Sequence, residues 1–368
     1  MLARILAISC ISMLSLTSCS TSKPSSQTEE GTHEEAAEMK TVIDEEVSFP
    51  SDGLTMKGTL TRPSDASSTS KKPALVLVHG SGPNSRDAVI PGQLGISFLK
   101  SVHVFKELAE HMSANDFIVL RYDKRSCGPF NKCADNGYPL PPKDITPAQF
   151  VADARAARDH LATRPDVDPN RIIYVGHSQG AALALEAMDD KWAGAIMLAG
   201  NFSPIDKVIG AQRDKLHDVM VHLGVPNAAI KTQTDPLDEL VGNLAKIREG
   251  EEHVETIGGA SVGFWNESFA IAERRPELLK TNKRPLALIF GEYDWNVPVS
   301  EARLWEHALA ASAEPSQNTL VVLPEITHAL NRIDEPDIKK VGVTDIGWHV
   351  DDEVLKVILS EAQRIAKP

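Results

Sequence analysis

The residues whose types and spacing most clearly suggest catalysis are 176–180, which read Gly-His-Ser-Gln-Gly. A β-branched run at residues 171–175 precedes them, and an alanine-rich stretch typical of a helix follows at residues 181–187. Between a buried strand and a helix, this pattern predicts a sharp turn whose glycines relieve crowding and whose serine stands exposed. The Ser178 hydroxyl is therefore a candidate nucleophile, which needs a base, an acid and donors for a developing oxyanion.

Two later segments place an acid and a base where that serine would need them. Residues 285–290 form an apolar run typical of a buried strand, and Asp294 follows its end; residues 320–323 form another, and His328 follows on a loop. The expected chain order is serine, acid, histidine. His328 would take the serine's proton as general base, while Asp294 would accept a hydrogen bond from its other ring nitrogen and fix the tautomer.

Other titratable residues compete for these roles. Glu292 and Asp206 stay open as the acid, and Asp294 could instead cap the helix that follows it. His349 competes as the base, although it directly precedes the last predicted helix rather than following the last strand. His177 lies inside the turn and is expected to point away from the serine, which makes it structural.

Two backbone N–H groups are expected to stabilise the charge that develops on the substrate oxygen. One belongs to Gln179, directly after the serine. The other is expected in the His-Gly-Ser-Gly-Pro turn that follows the apolar run at residues 73–78. Ser81 is the first choice there, and Gly82 is the second choice and a candidate pocket residue; a plain glycine-proline turn is the alternative. His79 is expected to brace this turn.

Composition limits the class of protein. The chain has 368 residues, 42% of them hydrophobic, which suffices for one large domain with a sizeable core. The formal net charge of −13, from 51 acidic and 38 basic residues, argues against nucleic acid or an anionic membrane surface as the main partner. The sequence has no metal-ligand spacing and no dinucleotide fingerprint, so it predicts no metal and no cofactor.

The N-terminus resembles a bacterial lipoprotein signal. Residues 1–18 have a positively charged start and a short apolar region, and Leu-Thr-Ser-Cys ends at Cys19. We expect cleavage before Cys19 and acylation of its thiol (palmitate); an ordinary secretory signal with an incidental cysteine is the alternative. Ser20 is typical of outer-membrane sorting, on the periplasmic face of the cell envelope. Residues 19–40 are polar and predict a disordered tether.

The number and positions of the cysteines are those expected of an exported protein. Cys10 would leave with the signal peptide and Cys19 would carry lipid, which leaves Cys127 and Cys133, six positions apart. In an oxidising compartment this pair predicts a local disulfide, with two free thiols as the alternative.

Strand and helix signals alternate after the tether. Residues 42–50 and 54–62 flank a Ser-Asp-Gly turn and predict a hairpin; buried apolar runs then alternate with helical patterns to the end. This organisation predicts an α/β fold with a mainly parallel sheet covered by helices on both faces. Residues 41–202 and 276–368 would form this core.

The predicted strands at 193–198 and 285–290 are separated by far more residues than an α/β unit needs. Residues 203–275 are helical in pattern and predict a cap or lid inserted over the cleft, with a second independent domain as the alternative. Phe264 and Trp265 are candidate walls of the substrate pocket; the alternative is that they belong to the cap's own core.

Together these motifs resemble the α/β-hydrolase superfamily over residues 41–368. The His-Gly-Ser-Gly-Pro turn, residues 86–87 (Arg-Asp), residues 121–125 (Arg-Tyr-Asp-Lys-Arg) and Gly-His-Ser-Gln-Gly are similar to exported bacterial esterases near the serine aminopeptidase and dienelactone-hydrolase-like branch. The resemblance implies the same roles for the serine, acid, base and oxyanion donors. Arg121 and Asp123 are interpreted as part of a structural ion network below the cleft.

The expected function is a serine hydrolase that cleaves a small-molecule carboxylic ester through an acyl-enzyme. An aminopeptidase-like exported peptidase, a thioesterase and an acyltransferase would use the same triad and stay open. An aminopeptidase needs carboxylates in the cap to hold the substrate's ammonium; the cap has several, which solvated helix faces explain equally well. A non-catalytic binding lipoprotein with this fold is the alternative from another class, although such proteins typically lose a triad member.

Overall fold

The computed structural model describes residues 41–91, 101–127, 133, 138, 144–251, 256–332 and 349–367. The predicted signal peptide, the lipidation site Cys19 and the tether at 19–40 lie outside the described residues.

Strands and helices alternate along the chain. The strands are β1 Val42–Ser51, β2 Leu54–Pro63, β3 Lys72–Val78, β4 Val89–Pro91, β5 Ser101–His103, β6 Ile118–Tyr122, β7 Val167–His177, β8 Gly194–Leu198, β9 Thr256–Ile257, β10 Ala260–Ser261, β11 Leu286–Gly291 and β12 Thr319–Leu323. The helices are α1 Val104–Ala114, α2 Pro147–Ala162, α3 Gln179–Ala182, α4 Ala184–Ala187, α5 Ile205–His222, α6 Asn227–Arg248, α7 Val262–Thr281, α8 Ser300–Ala310 and α9 Asp352–Ile365.

One large sheet organises the described residues. Its eight strands lie in the order β1-β2-β6-β3-β7-β8-β11-β12. The pairs from β6 to β12 are all parallel, whereas β1 and β2 form the expected antiparallel hairpin at one edge. The mainly parallel α/β fold predicted from the sequence is confirmed, and the carboxyl ends of β6, β3, β7, β8, β11 and β12 meet along one edge of the sheet.

Both faces of the sheet are buried, because successive side chains of a strand point in opposite directions. In β3, Ala74 and Val76 pack on the face covered by α2 and α8, whereas Leu75 and Leu77 pack on the face covered by α1 and α9. This explains why the central strands read as continuous apolar runs. Leu77 is fully buried, so its replacement by alanine would cost roughly 2–5 kcal/mol of stability.

The segment predicted as a cap has its own apolar cluster. Leu216 of α5, Leu240 and Leu244 of α6 and Trp265 of α7 are buried together there. Trp295, in the loop after β11, packs against the same cluster. Helix α7 continues past residue 275, the predicted end of this segment, to Thr281. None of the described helices combines the length and apolar composition that crossing a bilayer requires.

Local structure departs from the sequence expectation in two places. The sequence predicts a turn at residues 168–170, whereas β7 already begins at Val167 and runs through them. An irregularity in the β3–β7 pairing between Lys72 and Ala74 accommodates this extra length. The predicted helix after the serine is divided at Leu183 into α3 and α4.

Candidate active site

Ser178 occupies a strained turn between β7 and α3. Its backbone has φ 56° and ψ −116°, outside the regions that a serine normally adopts. A Cβ on Gly176 would lie 2.5 Å from the Gly180 carbonyl group, and one on Gly180 would lie 2.2 Å from the Val78 oxygen. Only glycine fits at both positions, so the two glycines of the pentapeptide allow the close crossing that places Ser178 at the carboxyl edge of the sheet.

The loops after β11 and β12 bring Asp294 and His328 together. His328 Nδ1 lies 2.7 Å from Asp294 Oδ2, and the Asp294 side chain is fully buried. The other carboxylate oxygen, Oδ1, accepts a hydrogen bond from the Val297 N–H at 2.7 Å. The Tyr293 N–H also bonds the Ile326 carbonyl at 2.9 Å, which joins the two loops. Asp294 is thereby oriented towards the Nδ1 of His328.

His177 brings His328 beside the serine turn. Its Nε2 lies 2.8 Å from the His328 carbonyl oxygen, and the two rings are 4.7 Å apart between centroids. Because a carbonyl only accepts, Nε2 carries the hydrogen. Burial, followed by the proximity of His328, lowers the pKa of His177 to about 3, so this ring is neutral. His177 immediately precedes Ser178, which places the histidine loop next to the serine.

The turn after β3 lies against Ser178. A Cβ on Gly80 would be 3.0 Å from Ser178 Cβ, so the Gly80–Ser81 peptide can approach only because residue 80 is glycine. Gln179 is the first residue of α3, where N–H groups have no acceptor within the helix. Gly82 has φ +88° and accepts a hydrogen bond at its carbonyl from Ser126 Oγ at 3.1 Å.

The competing acids and base have other contacts. Asp206 is paired with Arg248 at 2.9 Å. Glu292 accepts a hydrogen bond from the Glu325 N–H at 3.4 Å. The His349 side chain is 86% exposed and lies 3.6 Å from Glu107. Of the candidates, the structure places Asp294 against His328.

A partly buried ion network lies next to the turn after β3. Arg86 donates to both carboxylate oxygens of Asp123, and Arg121 is paired with Asp87 and Asp44 at 2.9 and 3.2 Å. These contacts join β1 and β6 to the segment after the β3 turn. His79 adds a hydrogen bond from Nε2 to the Tyr122 carbonyl at 2.6 Å.

Lys124 is a residue that sequence reasoning does not single out. It is 4% exposed, and its Nζ donates to the Gly80 carbonyl at 2.6 Å and to Gln179 Oε1 at 2.8 Å. Burial lowers the pKa of this lysine to about 7. The available signal was its place two residues after the end of β6, since β6 neighbours β3 in the sheet.

The predicted pocket residues and the cysteine pair lie in different surroundings. Trp265 is buried in the cap cluster and donates from Nε1 to the Ile257 carbonyl at 3.0 Å, whereas Phe264 is half-buried. The Phe264 ring is 6.4 Å from that of Phe150. Cys127 and Cys133 are joined by a disulfide with S–S 1.97 Å.

The chain is similar in sequence to two named hydrolases. Esterase EstD of Thermotoga maritima is 28% identical over 263 residues, which cover 70% of this chain and 54% of that protein. Thiohydrolase apmlB of Arthrinium phaeospermum is 34% identical over 146 residues, 39% of this chain and 38% of that protein. The chain thus spans about half or less of the length of these relatives.

The fold and the family are shown by two further comparisons. The structure of Est1E from Butyrivibrio proteoclasticus with ferulic acid bound has a TM-score of 0.51 and 16% identity, and the match covers 87% of this chain and 100% of that chain. At this identity the likeness shows the fold alone. The family model described as serine aminopeptidase, S33, matches residues 98–336, more than half of the chain. The protein therefore has the α/β-hydrolase fold and belongs to the serine aminopeptidase S33 family.

Proposed function

We propose that the protein cleaves a small-molecule carboxylic ester through an acyl-enzyme intermediate on Ser178. His328 acts as general base and then general acid, and Asp294 holds its imidazole in the required tautomer. The backbone N–H groups of Ser81 and Gln179 form the oxyanion hole. The observation that carries this proposal is the 2.7 Å contact between His328 and buried Asp294, beside a serine in a strained turn.

The reaction would proceed in two halves. Ser178 Oγ attacks the ester carbonyl carbon while its proton passes to His328 Nε2, and the carbonyl oxygen becomes an oxyanion. Collapse of the tetrahedral intermediate breaks the bond to the alcohol oxygen, which leaves with the proton from His328. Water then attacks the acyl-enzyme by the same route, which releases the acid and restores the serine.

The cap carboxylates do not by themselves call for a peptide substrate. A peptidase of the aminopeptidase type would need a carboxylate directed at the substrate's ammonium. Asp235, Asp238, Glu239 and Glu251 are exposed, and Asp238 is paired with Arg213 at 2.7 Å. Glu252 lies outside the described residues. Solvent and an arginine thus account for these charges.

Turnover assays separate the alternatives. We would assay wild type, Ser178→Ala and the matched control Ser360→Ala, an exposed serine on α9, with three substrate series. These are p-nitrophenyl esters of increasing chain length, the corresponding thioesters and aminoacyl-p-nitroanilides. We expect ester turnover by wild type and the control, and a loss of roughly 10⁴-fold or more in Ser178→Ala. Turnover of anilides alone would support a peptidase, preference for thioesters a thioesterase, and no turnover would contradict the proposal.

We also propose export and lipid anchoring through Cys19, on the periplasmic face of the outer membrane. The support is the lipobox-like sequence that ends at Cys19, together with a cysteine pair in disulfide contact. Metabolic labelling with an alkynyl fatty acid should mark wild type and leave Cys19→Ser unlabelled. Equal labelling of both, or a soluble wild type, would contradict the anchor.

A further inference from the structure

Lys124 joins the two segments assigned to the oxyanion hole. Its Nζ lies 2.6 Å from the Gly80 carbonyl oxygen, in the turn after β3, and 2.8 Å from Gln179 Oε1, at the start of α3. The third neighbour is the Phe150 ring, whose centroid is 4.3 Å from Nζ. A single ammonium group therefore contacts both segments and an aromatic wall.

The contact with Gly80 sets the direction of the Ser81 N–H. The Gly80 carbonyl and the Ser81 N–H belong to one planar trans peptide unit, so they point in opposite directions. Asn84 Nδ2 also donates to the Gly80 oxygen, at 3.0 Å. Two donors on the carbonyl side of this peptide thus fix the orientation of the N–H on its other side, and the backbone at Gly80 lies close to Ser178.

The second contact of Lys124 is with Gln179, the residue whose backbone N–H would be the other oxyanion donor. Gln179 would supply its backbone N–H to the oxyanion, while its side-chain oxygen is held by the same ammonium group. Lys124 is thus hydrogen-bonded to both segments that would carry the N–H donors. Both donors must lie within hydrogen-bond distance of the oxyanion for the transition state to be stabilised.

Burial lowers the pKa of Lys124 and the nearby charge of Asp153 only partly offsets this effect, while the hydrogen bonds that the structure describes for its Nζ do not go to a carboxylate. A buried ammonium is costly unless it is paired and hydrogen-bonded. Yet Asp123 is engaged by Arg86 at 2.9 Å, and Asp153 by Arg125 at 2.6 Å. The hydrogen bonds of Lys124 go to two neutral oxygens, both on the segments that would carry the oxyanion donors.

We propose that Lys124 is a positioning residue that orients both backbone donors of the oxyanion hole. This inference rests on the proposed function, because it requires a serine that forms a tetrahedral adduct. Lys124 acts before and during the reaction without exchanging a proton with the substrate. Its loss should weaken transition-state binding more than substrate binding.

The test compares Lys124→Met, which keeps the side-chain length and loses the donors, with Lys124→Arg and the exposed-lysine control Lys356→Met. We expect kcat of Lys124→Met to fall roughly 10- to 100-fold with little change in KM, less than the loss of a whole oxyanion donor. The inhibition constant of a boronic acid transition-state analogue should rise by the same factor. Lys124→Arg should recover part of the loss, and Lys356→Met should match wild type.

Gln179→Met provides a second, independent variant, because it removes the side-chain acceptor and keeps the backbone N–H. It should lower kcat in the same way, and the double variant with Lys124→Met should lose less than the product of the single effects. Circular dichroism and thermal unfolding would verify that each variant is folded.

Two results would overturn the inference while leaving the proposed function intact. One is a folded Lys124→Met enzyme with unchanged kcat and unchanged affinity for the analogue. The other is a variant whose KM rises while its kcat stays unchanged. If wild type neither turns over esters nor binds the boronic acid, the proposed function itself fails. The two failures are therefore distinguishable.

Discussion

The Nε2 of His177 donates a hydrogen bond to the backbone carbonyl of His328 over 2.8 Å. This bond joins the serine turn after β7 to the histidine loop after β12, across 151 positions of sequence. A protonated His177 would gain a charge inside the core, where burial lowers its pKa to about 3. The residue next to Ser178 thus fixes the position of His328 and must stay neutral to remain buried.

Stability should fall as the pH drops below the unfolded histidine pKa. His177 and His79 have folded pKa values of about 3 and about 4, lowered mainly by burial, against 6.5 for the unfolded state. Between pH 6.5 and 4.5 the unfolded chain binds protons that the folded chain excludes, so each histidine removes up to about 1.4 kcal/mol of stability per pH unit. Urea unfolding of wild type across this window should show the decline.

The matched variant is His79→Gln, whose amide N–H can still donate to the Tyr122 carbonyl. Its unfolding free energy should decline less steeply with falling pH than that of wild type. Equal slopes for the two proteins would mean that His79 titrates normally in the folded state. The half-buried His111 and His160, whose pKa values are also lowered, contribute in the same direction to both proteins.

Replacement of Asp294 by asparagine should abolish most activity while the fold survives. Asparagine preserves the shape of the side chain but favours the wrong tautomer of His328, so we expect kcat to fall by roughly 10⁴-fold. Glu292→Gln is the matched control, because Glu292 stays open as the acid from sequence alone and lies on the same loop. Steady-state ester kinetics would decide; a larger loss in Glu292→Gln would reassign the acid.

Loss of the disulfide should destabilise the fold. A bond between Cys127 and Cys133 closes a short loop, for which chain entropy gives about 2 kcal/mol of stabilisation. The Cys127→Ser, Cys133→Ser double variant should therefore have its unfolding midpoint at a lower urea concentration than the oxidised wild type. Its midpoint should equal that of the reduced wild type. Identical midpoints in all three proteins would contradict a stabilising bond. The Cys127 N–H also bonds the Lys124 carbonyl at 2.7 Å, so kcat should be measured in the same samples.

Phe264 and Trp265 should behave differently when replaced. Phe264 is half-buried and its ring faces Phe150, the ring beneath Lys124, so Phe264→Ala should shift the preference among p-nitrophenyl esters towards larger acyl groups. Trp265→Phe loses the hydrogen bond to Ile257 inside the cap cluster, which should cost about 1 kcal/mol of stability and leave the chain-length profile unchanged. The reverse outcome would assign Trp265 to the pocket and Phe264 to the cap's core.

The mainly parallel sheet could be predicted, and the candidate triad proposed, because each depends on local signals. Ser178, Asp294 and His328 each follow an apolar run, and the carboxyl ends of parallel strands meet at one edge of the sheet. The distances between these side chains could not be predicted from the sequence, because they depend on how two loops pack. The candidate residues therefore follow from the sequence, whereas the structure shows which acid contacts the histidine.

The contacts of Lys124 were not predictable for a related reason. Its partners Gly80 and Gln179 follow β3 and β7, and the three residues meet only because β6, β3 and β7 are consecutive in the sheet. Nothing in the local pattern of the Arg-Tyr-Asp-Lys-Arg segment distinguishes a lysine that contacts a turn from one paired with a carboxylate. The partner of His177 is equally non-local.

Covalent labelling tests the central claim most directly. A fluorophosphonate reacts only with a serine that a neighbouring base activates, and the adduct can be located by peptide mass spectrometry. We predict one label per folded molecule, on Ser178, with labelling lost in Ser178→Ala and retained in Ser360→Ala. No labelling of the wild type, or a label on another residue, would contradict the account.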